Sequence, residues 1–249
     1  MHSRTVTFLK GRIYMGKYKR VMLKLSGEAL AGDKHTGFDL ATVEAVAKEV
    51  KQAVDEGTEI AVVIGGGNFW RGRTGNEIDR VKSDQIGMLA TVMNALYVSE
   101  VFRTNGMQTA IFGAFEIPGL MPIFDKDAAM QALSEKKVVF FAAGTGHPYF
   151  STDSGTALRA IEIEADIILL AKAIDGVYDS DPKTNPDAKR FDKLSISEVV
   201  EKQLQVIDLT ASVLCKENHM PLGVFSLNEA GNIANALSGK IDGTIVTAD

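Results

Sequence analysis

A chain of 249 residues, 45% of them hydrophobic, can bury one large core or two small ones, so we predict one domain with two lobes rather than disorder. The formal net charge of −5 offers no overall attraction to DNA or RNA, and nucleic acid is not expected as a main partner. The single cysteine, Cys215, cannot form an internal disulfide, and no run approaches the roughly 20 apolar residues of a membrane span. These features predict a cytoplasmic protein.

The N-terminus is basic, with seven Lys or Arg residues and no acidic residue before Glu28. The apolar run at residues 6–9 is too short for a secretory signal. Met15 followed by Gly16 offers an alternative translation start. We therefore expect residues 1–17 to be an N-terminal extension, whose flexibility is left open, and residues 18–249 to form the domain.

Several apolar runs of strand length are continuous rather than alternating, which is typical of strands buried on both faces. They lie at 21–25, 60–64, 109–112, 138–142, 167–170 and 222–225. Amphipathic segments between them predict a helix with Asp39 as N-cap and Gly57 just past its end, and helices at 83–104, 125–136 and 152–165. This alternation predicts an α/β fold around a mostly parallel sheet.

The C-terminal third is less regular. Residues 175–193 hold two prolines and many turn formers, which predicts a long loop with little regular structure. Residues 195–204 and 208–219 have helical patterns, and 243–248 is a candidate closing strand.

Known phosphate-binding motifs are absent. The segment from Gly67 to Thr74 comes nearest to a P-loop, but Arg73 stands where that motif needs lysine, and the dinucleotide-binding glycine pattern is also missing. Glycine-rich turns follow the predicted strands instead, at the edge where open α/β sheets bind their ligands.

The first turn, at residues 24–28, begins with Lys24, which lies inside an otherwise apolar predicted strand. An ammonium there is costly unless an anion or a carboxylate meets it at the strand end. Alternatively, Lys24 lies on an edge strand and extends to water. The sequence leaves both interpretations open.

The second turn contains Gly65, Gly66 and Gly67, followed by Arg71. Consecutive glycines allow backbone N–H groups to approach an oxyanion, and a guanidinium is suited to phosphate. A plain tight turn needs fewer glycines, which favours a functional interpretation.

The third turn, at residues 144–153, joins a strand to a helix and offers hydroxyls and helix N-terminal amides to an anion. Thr152 or Asp153 could instead serve only as the N-cap. His147 is more typical of a structural hydrogen-bonding residue than of a general base, and the four histidines show no metal-binding spacing.

Two further segments are ambiguous. Tyr178, beside the turn aspartates 175 and 181, could form the wall of a base pocket or belong to an ordinary turn. Asp208 lies among apolar residues and could be a helix N-cap or the partner of Lys24.

Four motifs in the same order and spacing resemble the bacterial UMP kinases of the amino acid kinase superfamily, over about residues 18–249. They lie at residues 24–30, 65–72, 88–94 and 144–166. The resemblance implies a three-layer αβα sandwich around a mainly parallel sheet, as in carbamate kinase-like folds. It also implies a UMP-binding lobe at about 18–165 and an ATP-binding lobe at about 166–249.

Matching positions imply the site residues. The residues implied for the ATP phosphates are Lys24, Leu25, Ser26, Gly27, Gly67 and Arg71, and those for the adenosine are Tyr178 and Asp181. The residues implied for UMP are Gly66, Asp84, Thr145, Gly146, His147, Pro148, Tyr149, Phe150, Ser151 and Thr152. Catalysis would rest on Lys24, on Arg71 and on Asp208, which is implied to orient Lys24.

The implied reaction transfers the γ-phosphate of ATP, bound with Mg²⁺, to UMP in pyrimidine nucleotide (CTP) biosynthesis. Family members are typically homohexamers activated by GTP and inhibited by UTP, and residues 32–37 align with a segment linked to GTP activation. Two positions depart from the family pattern: His147 replaces a frequent asparagine, and Lys172 replaces a small polar residue near the adenine.

Two alternatives remain at this stage. Another amino acid kinase would use a carboxylate acceptor such as glutamate, acetylglutamate or aspartate. A nucleotide-binding sensor would show no turnover, although binding alone would not require both Lys24 and Asp208.

Overall fold

A mostly parallel sheet forms the centre of the protein. The computed structural model describes residues 18–70, 78–182, 184–204 and 206–248, together with the backbone of a short antiparallel strand pair, β1 (Thr7–Leu9) and β2 (Arg12–Tyr14). The rest of the predicted extension at 1–17 lies outside the described residues.

The strands of the central sheet are, in chain order, β3 (Arg20–Leu25), β4 (Glu59–Ile64), β5 (Thr109–Gly113), β6 (Val138–Ala142), β7 (Ile167–Lys172), β10 (Lys193–Ser195), β11 (Leu222–Ser226) and β12 (Gly243–Thr247). Within the described chain this is an eight-stranded sheet of order β10-β12-β11-β7-β3-β4-β6-β5. Neighbouring strands are parallel apart from β11 and β12, which confirms the predicted α/β fold.

The helices in the described residues are α1 (Gly27–Leu30), α2 (Leu40–Asp55), α3 (Arg80–Thr104), α4 (Lys126–Ser134), α5 (Thr152–Glu162), α6 (Ile196–Glu201), α7 (Leu209–Glu217) and α8 (Asn232–Leu237), with a 3₁₀ turn at Gly32–Lys34. Asp39 caps α2 as expected, because its carboxylate accepts from the Thr42 N–H at 2.9 Å. No helix in this described part of the chain has the length and apolar character needed to cross a membrane.

The helices cover both faces of the sheet. Val21, Leu23 and Leu25 of β3 face a core shared with α2, α3 and α8. Met22, one residue out of phase, faces the opposite core with α4, α5, α6 and α7. Alternate residues of one strand therefore enter different cores, which gives the three layers that the resemblance implies.

The described part of the segment at 175–193 has little regular structure, as predicted. Val177–Tyr178 (β8) and Arg190–Phe191 (β9) form a short antiparallel pair within the expected loop, and β10 begins at its end. Both strands are only two residues long, so they carry too little apolar pattern for sequence to reveal. We call residues 175–191 the β8–β9 hairpin.

Candidate active site

The glycine-rich turns meet at the carboxyl edge of the sheet. Strand β3 lies between β7 and β4, and β4 lies between β3 and β6. The turns after β3, β4 and β6 are therefore neighbours, as expected for an open parallel sheet.

Lys24 lies in the central strand β3, so the interpretation as an edge-strand lysine is wrong. Its Nζ donates to Asp153 Oδ1 at 2.7 Å, and the two side chains are 16% and 19% exposed. A carboxylate from α5 thus meets the ammonium at the strand end, as the first interpretation required.

Asp153 remains ionised in this setting. Burial acts to raise the pKa of its carboxyl. The charges of Lys24 and Lys172, the hydrogen bond from Lys24 and a backbone hydrogen bond from Asp208 lower this pKa by more than burial raises it, so the net shift is downward. The sequence did not identify Asp153 as the partner of Lys24, because 129 positions separate the two residues and the contact arises only from the sheet order.

Asp208 joins the N-termini of two helices. Its carboxylate caps α7 by accepting from the Ala211 N–H at 2.9 Å, and it also accepts from the hydroxyls of Ser154, at 3.1 Å, and of Ser151. The N-cap interpretation is confirmed. The direct hydrogen bond of Lys24 goes to Asp153, so an orienting role for Asp208 would act through Ser151, Ser154 and α5.

The N-cap of α5 is Ser151, rather than Thr152 or Asp153 as the sequence suggested. Its Oγ accepts from the N–H groups of Asp153 and Ser154. Because Ser151 takes the capping role, the Asp153 side chain is available to Lys24.

Lys172 is a neighbour of this pair. It is the last residue of β7, and its Nζ donates to the backbone carbonyl of Val206, just before α7. Burial lowers the pKa of its ammonium, Asp153 raises it and Lys24 lowers it, with a net downward shift.

The first two glycine turns are in close contact. A Cβ added to Gly27 would lie 2.1 Å from the Gly65 carbonyl oxygen and 2.6 Å from Asn68 Oδ1. Asn94 Nδ2 donates to the Gly65 carbonyl at 2.7 Å, and the amides of Asn68 and Asn94 are hydrogen-bonded to each other. Both asparagines are buried, so this amide pair holds the turns against α3.

A cleft opens beside these turns, between α3 and the segment that follows β6. The described residues that line it are Arg80, Asp84, Gly87, Met88, Thr91, Ala143, Gly144, Thr145, His147, Phe150, Ser151 and Thr152. It therefore contains Asp84 and five of the eight predicted UMP residues at 145–152. The remaining predictions are Gly66, Gly146, Pro148 and Tyr149, which lie in the adjoining turns.

Asp84 connects the two walls of the cleft. Its Oδ2 accepts from Arg80 Nε at 2.9 Å and from the Tyr149 N–H at 2.8 Å. Tyr149 has a left-handed φ of 71°, and its ring lies 5.5 Å from the Arg80 guanidinium carbon. The Tyr149 backbone, in a region that non-glycine residues rarely adopt, thus directs its N–H to Asp84.

The second turn is described only in part. Gly66 packs against α3, since an added Cβ would lie 2.9 Å from the Gly87 carbonyl oxygen, and Gly67 faces the Glu28 carboxylate. Arg71, predicted as a phosphate ligand and catalytic residue, lies outside the described residues, as do the others at 71–77.

The β8–β9 hairpin is fastened by charged groups. Tyr178 Oη and Arg190 Nη1 each donate to the Asp175 carboxylate at 2.8 Å, and Arg190 Nη2 donates to Asp242 at 3.2 Å. Asp181 contributes backbone carbonyl contacts to Thr184 and Asn185 in the same hairpin. The sequence did not single out Arg190, because its partners are distant along the chain.

Metal binding by clustered side chains and cysteine chemistry have less support than phosphate binding. Within the described ranges, no three or more His, Cys, Asp or Glu side chains come together as a group that could hold a metal ion. Cys215 is buried, and burial together with Asp153 and Asp208 raises the pKa of its thiol to about 12, so the reactive thiolate form is disfavoured near neutral pH.

The amino acid kinase family model matches residues 19–226. The chain belongs to this family. As an amino acid kinase it is similar in structure to the UMP kinase of Bacillus anthracis, with a TM-score of 0.89 and 36% identity over 94% of this chain and 97% of that one. The UMP kinase of Ureaplasma parvum has a TM-score of 0.87 and 34% identity, with 92% and 98% covered. The uridylate kinase of Archaeoglobus fulgidus has a TM-score of 0.68 and 27% identity, with 91% and 99% covered.

Proposed function

We propose that this amino acid kinase transfers the γ-phosphate of ATP to UMP, giving ADP and UDP. The observation that carries the proposal is the likeness to two bacterial UMP kinases at 36% and 34% identity over more than nine-tenths of the chain. The cleft between Asp84 and residues 144–152 supports it, because Asp84 and five of the eight residues at 145–152 that the resemblance implied for UMP line it.

The proposed chemistry needs no strong general base. The attacking group of UMP is a phosphate oxygen, already deprotonated near neutral pH. The main barrier is the approach of two polyanions, which cationic groups and amide-rich turns lower by holding the groups in line and neutralising charge. We assign this role to Lys24, which lies in a central strand near the carboxyl edge of the sheet, and Arg71 stays a prediction from the sequence.

Asp153 serves as the positioning residue for Lys24 in this mechanism. A partly buried, ionised carboxylate 2.7 Å from Nζ restricts the rotamers of the lysine before ATP arrives. Asp208 affects Lys24 indirectly, because it accepts hydrogen bonds from Ser151 and Ser154 and so holds the α5 N-terminus that carries Asp153.

Asp84 is proposed to bind the ribose of UMP. A carboxylate can accept from both ribose hydroxyls, but Oδ2 of Asp84 now accepts from Arg80 and Tyr149. A carboxylate has about four acceptor sites on its two oxygens, so the ribose hydroxyls can bind Asp84 beside these two donors or in place of one of them.

ATP is proposed to bind on the side of the sheet formed by the later strands. Strands β7, β11, β12 and β10 lie on one side of β3, and β4, β6 and β5 lie on the other, which supports an ATP-binding lobe at about 166–249 and a UMP-binding lobe at about 18–165. The β8–β9 hairpin, with Tyr178 and Asp181, would contact the adenosine. Mg²⁺ would enter as part of the Mg–ATP substrate.

An assay of ADP release tests the function. We expect rapid turnover of Mg–ATP with UMP, slower turnover with CMP and dTMP, and none with glutamate, acetylglutamate or aspartate. Turnover with an amino acid but not with UMP would contradict the proposal and favour the carboxylate kinases. Tight binding of both nucleotides without ADP release would favour the sensor.

We also propose a homo-oligomer, in line with the hexamer implied by the resemblance. Helix α3 carries an exposed apolar stripe at i, i+3 and i+7: Ile86, Leu89 and Met93 are 40%, 50% and 46% exposed. Phe69, 37% exposed, contacts the ring of Phe38, which stacks on Tyr97 of the same helix. A continuous apolar face of this kind is typical of an interface, and a second copy of the chain is the proposed occupant.

Replacing Leu89 by glutamate should reduce the oligomer. A charge at the centre of the stripe would be buried unpaired in the interface, so we expect the mass measured by light scattering to fall to that of a smaller species. Val213→Glu, at a residue of α7 that is 40% exposed, is the matched control and should keep the wild-type mass. An unchanged mass for Leu89→Glu would contradict an interface at this face.

Activation by GTP, inhibition by UTP and a cytoplasmic role in pyrimidine nucleotide synthesis stay predictions from the resemblance. One contact supports regulation: Asn68, beside the glycine turn, donates from Nδ2 to the Gly37 carbonyl at 2.8 Å and accepts at its own carbonyl from Thr36 Oγ1 at 2.9 Å. The segment at 32–37 is therefore attached directly to the proposed phosphate turn.

A further inference from the structure

Lys172 is the feature of the site that the proposed mechanism leaves unused. It ends the central strand β7, whose neighbours β3 and β11 pair with it on either side. Ala171 is paired with Leu25, so Lys172 lies one position beyond the end of β3, at the sheet edge where Lys24 meets Asp153. A partly buried lysine costs folding free energy unless a carboxylate or a bound anion compensates its charge.

The hydrogen bonding of Lys172 leaves part of the ammonium available. An ammonium has three N–H donors, and among the described residues the bond that Lys172 makes is to the Val206 carbonyl, which is uncharged. The nearby Asp153 carboxylate is bonded to Lys24.

Among the described residues, Lys172 has no carboxylate as its own hydrogen-bonding partner. Lys24 and Lys172 share the carboxylate of Asp153, while the Asp208 carboxylate is occupied by the Ser151 and Ser154 hydroxyls and the Ala211 N–H. Burial and the neighbouring Lys24 both disfavour the charged form of Lys172. A polyanion that entered beside the two lysines would reverse this penalty.

We propose that Lys172 is a second phosphate-binding lysine of the transfer site, which exchanges its hydrogen bond with the Val206 carbonyl for oxygens of the β- and γ-phosphates of ATP. This inference rests on the proposed function. It differs from the expectation that position 172 acts near the adenine, because Lys172 is grouped with Lys24 and Asp153 rather than with Tyr178 of the β8–β9 hairpin. When Lys172 gives up its hydrogen bond to the Val206 carbonyl, ATP binding would also affect the segment that precedes Asp208.

The decisive variants are Lys172→Met and Lys172→Gln. Methionine removes both charge and hydrogen bond, whereas glutamine keeps a donor for the Val206 carbonyl and removes only the charge. We expect both variants to lower kcat by roughly 100-fold, with the KM for UMP within about twofold of wild type. Lys172→Arg, which keeps the charge, should retain more activity than either. Lys202→Met, at an exposed lysine of the α6 C-terminus, is the matched control.

Binding measurements separate a phosphate contact from other roles. In both variants we expect a non-hydrolysable ATP analogue to bind about tenfold more weakly and AMP to bind as in wild type. Equal weakening for AMP and the analogue would overturn the proposal in favour of an adenine contact. Near wild-type kcat in Lys172→Gln with a reduced kcat in Lys172→Met would overturn it in favour of a tether for Val206. Wild-type kinetics in both variants would overturn it and exclude the tether as well.

The proposed function fails in a different way. Wild-type protein that does not turn over Mg–ATP with UMP would contradict the reaction itself, before any variant is compared. If Lys172→Met does not fold, as judged by its thermal unfolding, Lys172→Gln supplies the same kinetic and binding comparison.

Discussion

Lys24→Met is expected to lower kcat for phosphoryl transfer to UMP by about 10³-fold, or ~4 kcal/mol of transition-state stabilisation. The side chain is a cation at the centre of the sheet edge where the glycine turns meet, and its ammonium is already oriented by Asp153. Charge that develops on the transferring phosphoryl group would lose a preorganised partner. Initial rates at saturating Mg–ATP and UMP measure the effect.

The substitution also leaves Asp153 as a buried carboxylate without its lysine, which could lower stability on its own. The double variant Lys24→Met/Asp153→Asn removes both charges and serves as the control for folding. We expect it to unfold thermally closer to wild type than Lys24→Met does, and to remain as inactive. If Lys24→Met keeps a kcat within a few-fold of wild type while folded, Lys24 is not the catalytic cation.

Gly27→Ala should have the largest effect on folding together with a loss of activity. The added methyl group would lie 2.1 Å from the Gly65 carbonyl oxygen, and neither backbone segment can move without breaking the bonds that Asn68 and Asn94 make. Overpacking of this kind costs roughly 1–3 kcal/mol, and the opposing atom is backbone, so we expect the upper end and a melting temperature lower by roughly 6–12 °C.

Gly65→Ala is the matched control for stability. It adds the same methyl group in the partner turn, but its nearest contact is ordinary, at 3.9 Å from the Gly27 nitrogen. Differential scanning calorimetry should therefore separate the two alanine variants. Equal melting temperatures for Gly27→Ala and Gly65→Ala would show that the turns are not held in the close contact described.

The central strands could be predicted from the sequence because each is a run of apolar residues that enters a core on both faces. Their ends were less predictable. Strand β3 begins one residue early, at Arg20, whose guanidinium donates to the Glu59 carboxylate of β4 and to the Ile163 carbonyl. A charged residue satisfied by such contacts carries no apolar signal. Helix α8 was not predicted because it is only six residues long, too short for a clear apolar period. Gly231, with a left-handed φ of 87°, precedes it.

The site was predictable where it depends on local turns and unpredictable where it depends on the sheet order. The glycine turns and the capping role of Asp208 follow from short-range pattern. The bond between Lys24 and Asp153, and the contact of Asp84 with Tyr149 across 65 positions, exist only once β3, β4 and β6 are neighbours. The assignment of Thr152 or Asp153 as N-cap was wrong because Ser151, Thr152 and Asp153 are all good capping residues and sequence cannot rank them.

The position of β12 has a consequence for how the chain acquires its structure. This strand, Gly243–Thr247, is inserted between β11 and β10, and it is the neighbour of β10 in the described sheet. During synthesis, β10 therefore cannot pair with its neighbour in the sheet until about 50 further residues have left the ribosome. Among the strands after β3 and up to β7, only β5 depends on a later strand, and that is β6, the next strand along the chain. One half of the sheet can thus assemble before the C-terminal strands are made, while the other is completed only by the last strand.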